Sequence, residues 1–237
     1  MDSMLPFIPS PDMTCPEVVT SCKLTLHNVQ GLKSHIEDLR SDRHFLEGNF
    51  ICLTETWLTS DDPQGMPELD GFLFHHKPRG QCYDSSEDLF ANLKQQCHGG
   101  VGLYYSTTTR CEIVNLPATN LECLVFKNVD RNVIFALIYR PSSYKIELFR
   151  KNMILLLNKL DTFQGGCLVI GDFNEDIFKS SSVAKMMAEK AFLQCVREST
   201  TENGTLIDHV YVRGADNVKV HVLPTYYSYH EAVTIEF

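Results

Sequence analysis

CLVIGDFNED, Cys167 to Asp176, runs four apolar residues into Gly171 and then into Asp172, Asn174, Glu175 and Asp176. A short apolar run bounded by turn formers reads as a buried strand. Strands do not ordinarily end in so many acids and amides. The end of this strand is therefore a place where a rigid scaffold presents polar groups, and the reading of the chain starts from it.

Working outward, YKIELFRKNMILLLNKLDTF precedes the strand and is the clearest helix. Ile146, Phe149, Met153, Leu156, Leu157 and Leu160 fall on one of its faces. Before that helix, CEIVNL, LECLVFKN and NVIFALIYRP are short strands separated by turn signals, entered from GGVGLYYS, and read as an antiparallel meander. Towards the N-terminus, CKLTLHN and NFICLTETWL are strands flanking GLKSHIEDLRSDRHFLEG, an amphipathic helix with a break predicted at Ser41-Asp42. On the other side, VAKMMAEKAFLQCVRE reads as a helix, and LIDHVYVRG, VKVHVLP and EAVTIEF read as strands. Residues 59–71 read as a loop, residues 81–98 as an insertion, and His75 to Arg79 as a small basic loop able to touch a phosphate backbone. Helices and strands alternate at both ends while the middle is all strand. Two packed sheets with helices outside satisfy this order, and a doubly wound parallel sheet does not.

The chain of 237 residues is 43% hydrophobic, enough for one sizeable core, so residues 22–237 are expected to form one domain behind an extended arm at 1–21. The arm is acidic and proline-rich, unlike a signal peptide. A formal charge of -9 argues against a cationic coat for nucleic acid but leaves room for a local groove. Nine cysteines, an odd count without C-x-x-C spacing, predict free thiols in a reducing compartment, nuclear or otherwise intracellular, with no disulfide framework and no structural zinc. No run is long enough to span a bilayer, so no membrane partner is expected.

Five apolar stretches end alike. LTLHNVQGL ends at Asn28, ICLTETWL reaches Glu55, and FALIYRP reaches Tyr139. LVIGDFN delivers Asp172 and Asn174, and GTLIDHVYV delivers Asp208. A sixth, YYSYHEAV, sets His230 just before the last strand. Oxygen donors such as Asn28 and Glu55 suit Mg²⁺, which takes one or two carboxylates and keeps several waters. Asp172 beside Asn174 suits the positioning of a water and a phosphate. Asp208 suits the orienting of the His230 ring. The Tyr139 phenol suits a phosphate oxygen, with Arg140 supporting it by charge. Trp57 reads as packing beneath the site.

In order and spacing, HNVQGL, LTETWL, GGVGLYY, YRPSS, GDFN and IDHVYV resemble the endonuclease/exonuclease/phosphatase superfamily over roughly residues 22 to 237. LTETWL and YRPSS lean towards the apurinic-like endonuclease domains of non-LTR retrotransposons and of Helitron-related transposons. The resemblance implies an α/β fold: a four-layer sandwich of two mixed, mainly antiparallel sheets with helices on the outer faces. It implies Glu55 as the main metal ligand, with Asn28 at the metal or phosphate. Tyr139 would sit on the scissile phosphate, Asp172 would align or activate the attacking water, and Asn174 would hydrogen-bond beside it. His230, paired with Asp208, would contact the phosphate in the transition state.

The expected function is a Mg²⁺-dependent endonuclease, with Mn²⁺ able to substitute, that nicks DNA to leave a 3′-hydroxyl in the service of a transposable element. A monomer is expected, with further modules of a longer polyprotein possible. The chain departs from the pattern at Tyr229, where the family ends Ser-Asp-His, and at Gln30, where repair enzymes carry an acid. Two alternatives follow: a catalytically weakened domain of the same fold that binds DNA or a partner, and a phosphoesterase acting on a non-nucleic-acid substrate.

Overall fold

The structure is a computed structural model that describes residues 21–60, 65–84, 88–116 and 119–237. The arm expected at 1–21 lies, except for Ser21, outside these residues. Along the described chain the strands are β1 (Lys23–Asn28), β2 (Phe50–Thr54), β3 (Phe72–Lys77), β4 (Val101–Ser106), β5 (Cys111–Val114) and β6 (Glu122–Asn128). They continue with β7 (Val133–Tyr139), β8 (Gly166–Asp172), β9 (Leu193–Gln194), β10 (Asp208–Arg213), β11 (Lys219–Leu223) and β12 (Ala232–Glu236). The helices are α1 (Leu32–Ser41), α2 (Arg43–Leu46), α3 (Asp88–Lys94), α4 (Ile146–Leu160) and α5 (Ser182–Glu189).

Two six-stranded sheets form, in the orders β11-β12-β1-β2-β4-β3 and β5-β6-β7-β8-β10-β9. Each sheet contains one parallel pair, β1 with β2 and β7 with β8, bridged by the helices between them. Every other pairing is antiparallel. This is the expected two-sheet sandwich.

Central strands with both faces covered read as unbroken apolar runs, and alternate residues go to opposite layers. Leu24, Leu26, Phe50 and Cys52 of one sheet meet Phe126, Phe135, Leu168 and Ile170 of the other between the sheets. Val169 and Tyr211 face outward onto Phe149, Met153 and Leu157 of α4 and Met187 of α5. Ile51, Leu53 and Tyr104 face outward onto Leu32, Leu39 and Phe45. The break predicted at Ser41-Asp42 occurs there. Asp42 ends α1, and its carboxylate accepts from the His44 amide at 2.9 Å to cap α2.

Two local expectations change. His75 to Lys77, expected within a basic loop, belong to edge strand β3, where Phe74 stacks on Tyr104 at 4.2 Å. Helix α5 stops at Glu189, well short of Glu198. The chain turns through Ala191 in the left-handed region (φ 61°), and Leu193 and Gln194 pair with Val212 and Tyr211 at the sheet edge. Pairing there satisfies backbone groups that an extended helix would leave open on the second sheet.

The topology brings one end of the sandwich into focus. Asn28 and Thr54 are register partners at the carboxyl ends of the first parallel pair, and Tyr139 and Asp172 are partners at those of the second. Asp208, opening β10, is also opposite Asp172. Ligands of α/β proteins gather at the carboxyl ends of parallel strands.

Candidate active site

Hydrogen bonds cross between the sheets at this end. The Asn28 amide Nδ2 donates to Asp172 Oδ2 at 2.9 Å and to Glu55 Oε1 at 3.2 Å, bridging the two carboxylates. The Tyr139 hydroxyl donates to the same Glu55 oxygen at 2.7 Å. Asp172 Oδ1 accepts from the Asn174 amide at 2.8 Å, and Asn174 Nδ2 reaches Arg140 O at 2.9 Å and Asp172 Oδ2 at 3.4 Å. His230 Nδ1 lies 2.8 Å from Asp208 Oδ2. A carboxylate only accepts, so Nδ1 carries the proton and Nε2 is turned towards Asp172 Oδ2, 3.9 Å away. Asn28, Glu55, Tyr139, Asp172, Asn174, Asp208 and His230 thus converge on one place.

Arg140 has a different task from the expected support of a phosphate. Its guanidinium is buried and donates to the carbonyls of Phe173, Tyr144 and Asn174. Buried guanidinium groups need their donors satisfied. Arg140 therefore pins the turn that follows Asp172. Arg79, at the end of the expected basic loop, is buried too and ion-paired with Glu122 at 2.7 Å.

Sequence reasoning missed the contacts that four residues make at the site. Trp57, expected beneath it, is 37% exposed and sits at its rim, and its indole Nε1 donates to Glu55 Oε2 at 3.1 Å. The Thr200 hydroxyl accepts the backbone amides of Ile207 and Asp208 and so fixes the start of β10. Gln30 Oε1 accepts the Tyr229 amide at 3.2 Å, and the Ser228 hydroxyl bonds Asn28 O at 2.7 Å. The two positions that depart from the family pattern are therefore neighbours. The lone tryptophan two residues after Glu55 was a readable signal, whereas Thr200 carried none.

The backbone here is held in sparsely populated conformations. Gln30, Glu55, Trp57 and Asn174 all have positive φ, 47°, 51°, 54° and 48°. Each such residue costs roughly 1 kcal/mol or more and persists only where its surroundings over-determine it. Around Glu55 they do: Gly31 N donates to Glu55 O, Leu32 N to Thr56 O, Thr56 N to Gly100 O and Trp57 N to Gly99 O.

The electrostatics are those of crowded acids. Burial, and then the charge of Asp208, push the Asp172 carboxyl well above the usual carboxylate range, against the pull of His230 and of the hydrogen bonds from Asn174 and Asn28. Burial alone would lower His230. The charge of Asp208, its hydrogen bond and the charge of Asp172 override this and raise it above an ordinary histidine. The ligating atoms of Asp172, Asp208 and His230 lie within 4.8 Å of one another, and Asp208 Oδ1 has no hydrogen-bond partner. With Glu55, three carboxylates face one imidazole. Carboxylate oxygens outnumber the single imidazole, leaving net negative charge, so the residues present fit a hard divalent cation.

His209, beside Asp208, is fully buried. Its Nε2 faces the Glu175 and Leu206 carbonyls and must carry the proton, leaving Nδ1 to accept from the Tyr211 hydroxyl at 2.9 Å. Burial lowers its pKa from 6.5 to about 4, with the carbonyl bonds and nearby acids opposing. The unfolded chain therefore gains a proton below pH 6.5 that the folded chain refuses until about pH 4. Stability from this group is full above that window and is lost as pH falls through it. The His209→Gln variant is expected to flatten the fall in stability between pH 7 and 4 by up to about 3 kcal/mol. Urea midpoints across that range measure it, and an unchanged slope would contradict the assignment.

A family model described as Endonuclease/Exonuclease/phosphatase family matches residues 26–230. No curated protein matches the chain. Among solved structures it is similar to the AP endonuclease LMAP from Leishmania major, at 16% identity and TM-score 0.70, covering 92% of this chain and 87% of that one. It is similar to the 3′-5′ exonuclease NExo from Neisseria meningitidis, at 17% identity and TM-score 0.66, covering 91% and 99%. It is also similar to the endonuclease domain of TRAS1, a telomere-specific non-LTR retrotransposon, at 11% identity and TM-score 0.66, covering 92% and 98%. At these identities the likeness is one of fold.

Proposed function

The chain belongs to the endonuclease/exonuclease/phosphatase family, and from that premise we propose that it is a divalent-metal-dependent phosphodiesterase that nicks DNA and leaves a 3′-hydroxyl. The observation that carries this reading is the convergence of seven polar residues from both sheets on one oxygen-lined, acid-rich centre. LTETWL and YRPSS support service to a transposable element, and the likeness to the TRAS1 domain is consistent with that.

Glu55 and the Asn28 amide oxygen would hold Mg²⁺ or Mn²⁺, with Asp172 adjoining. When bound, such an ion withdraws charge from a phosphoryl oxygen and stabilises the leaving oxyanion. The protein supplies the rest. Asp172, its proton affinity raised by burial and by Asp208, accepts the proton of the attacking water. The Asn174 amide and Asn28 fix that carboxylate in place. Asp208 orients His230 and keeps it cationic, so that its Nε2–H faces the reacting phosphate as a donor. The Tyr139 hydroxyl gives its single proton to Glu55 and would become a second donor to the phosphate on turning from that carboxylate. Purified protein with supercoiled plasmid and Mg²⁺ is expected to give nicked circles. Their absence across a Mg²⁺ and Mn²⁺ series, where a known nuclease succeeds, overturns the reading.

The Gln30–Tyr229 contact favours a second reading, a domain of weakened activity that binds DNA or a partner. Both positions that carry acids in the family pattern are neutral here, and they touch. Restoring one acid discriminates. Tyr229→Asp adds a carboxylate beside His230 and is expected to lower the Mg²⁺ concentration for half-maximal nicking several-fold, with the maximal rate changed less than about tenfold. A maximal rate rising by more than about a hundredfold, some 2.7 kcal/mol of barrier, would identify a decayed site instead.

A further inference from the structure

We infer that Glu122 is a positioning residue for the metal ligand Glu55, acting through Arg79 and the Gly99-Gly100 pair; the inference rests on Glu55 holding the cation. Glu122 is fully buried at the start of β6, opposite Tyr139 in register. Its carboxylate is shared among three donors. Oε1 accepts from Arg79 Nε at 2.7 Å and from the Tyr83 hydroxyl at 3.0 Å, and Oε2 accepts from the Gly100 amide. The proposed chemistry uses none of these groups, yet a buried carboxylate is costly unless it is paired.

The glycine pair explains why the carboxylate is placed there. Gly99 and Gly100 both have positive φ, 115° and 83°. A Cβ on Gly99 would lie 2.4 Å from the Arg79 guanidinium, so only glycine lets Arg79 lie against the turn. Gly99 and Gly100 offer their carbonyls to the Trp57 and Thr56 amides, at 2.9 and 3.3 Å. These bonds close one side of the turn that carries Glu55, and Gly31 and Leu32 close the other. Trp57 bonds the Glu55 carboxylate directly. Arg79 also lies over the Tyr139 ring, 5.7 Å from its centroid, and Tyr139 donates to Glu55. From Glu122 the constraint thus reaches Glu55 by two routes, through the glycine carbonyls and through Tyr139. Groups that orient a metal ligand in this way govern its affinity as well as its shape.

The test compares Glu122→Gln, Arg79→Lys and Tyr83→Phe in the full chain. In Glu122→Gln, whichever way the amide turns, an N–H donor faces either Gly100 N–H or the Arg79 guanidinium. Arg79→Lys keeps the charge but loses the planar group lying on Gly99. Tyr83→Phe removes one bond to the same carboxylate without touching the glycine pair. Mn²⁺ affinity by electron paramagnetic resonance is expected to fall about tenfold or more in the first two variants and to stay near wild type in the third. Trp57 is the only tryptophan of the chain, so its acrylamide quenching reports the turn itself. Quenching is expected to rise in the first two variants while thermal melting still shows a folded protein.

Wild-type affinity and quenching in a folded Glu122→Gln variant would overturn the inference, and Arg79→Lys decides it in the same way if Glu122→Gln does not fold. Mn²⁺ binding that survives Glu55→Gln instead removes the metal assignment. The Trp57 readout then decides the positioning role alone.

Discussion

The Asp172→Asn variant is expected to lose DNA nicking by about a thousandfold or more while remaining folded. Proton abstraction by a positioned base is worth roughly 10² to 10⁴ in rate, and no second carboxylate is placed to replace this one. Glu55 is held by Tyr139, Asn28 and Trp57, and Asp208 is committed to His230. The fold should tolerate the change. The amide oxygen still accepts from Asn174 N, and the substitution removes an anion that burial already disfavours. The amide nitrogen must face the Asn28 donor, which costs part of one hydrogen bond, about 1 kcal/mol. Initial rates of nicked-circle formation, with a thermal melt alongside, measure both effects. A folded variant keeping more than about a tenth of the wild-type rate would remove Asp172 from the role of base.

The Gly171→Ala variant should fail for a different reason, loss of the fold. Gly171 sits between register partners Ile138 and His209 in the middle of the second sheet, with φ 144°. A Cβ there would lie 1.8 Å from the Ile138 carbonyl oxygen and 2.7 Å from its carbon. Both obstacles are backbone of the parallel pair, so no side-chain rotation relieves the clash. The pair would have to separate at the strand end that delivers Tyr139 and Asp172. An expected cost above about 4 kcal/mol places it among the largest single-residue effects, against total stabilities of about 5–15 kcal/mol. Soluble yield and melting temperature read the result. A melting point within about 4 °C of wild type would contradict the geometry.

Gly171 also marks what the sequence could and could not disclose. Its place between an apolar run and Asp172 is visible in the letters, but the reason for it, contact with a neighbouring strand's carbonyl, is long-range. The two-sheet architecture was readable because α4 shows a clean apolar face and the central strands are continuous apolar runs. Edge strand β3 was not readable. One face is wet, its histidines look like loop residues, and its pairing with β4 supplies most of the signal. Helix α5 was overextended because periodicity continues past Glu189, where sheet pairing takes over. Among the site residues, those at strand ends announced themselves by abrupt changes of polarity. Arg140 and Arg79 misled because a cation in a loop-like stretch reads as available to a phosphate, and only the folded chain shows their guanidinium groups consumed by carbonyls and by Glu122. The adjacency of Gln30 and Tyr229 joins residues 199 apart in sequence and has no local trace.

The first and last strands lie side by side: β1 pairs with β12, and Cys22 and Phe237 exchange both backbone bonds. They meet at the pole of the sandwich opposite Asn28. Cys22 and Phe237 therefore both lie at the back of the molecule. A purification handle, a fluorescent reporter or a second enzyme fused after Phe237 should leave the mouth unobstructed. A short peptide joining Phe237 to Cys22, in a variant lacking residues 1–20, would allow the polypeptide to be reopened at another surface turn, with the reacting pole untouched.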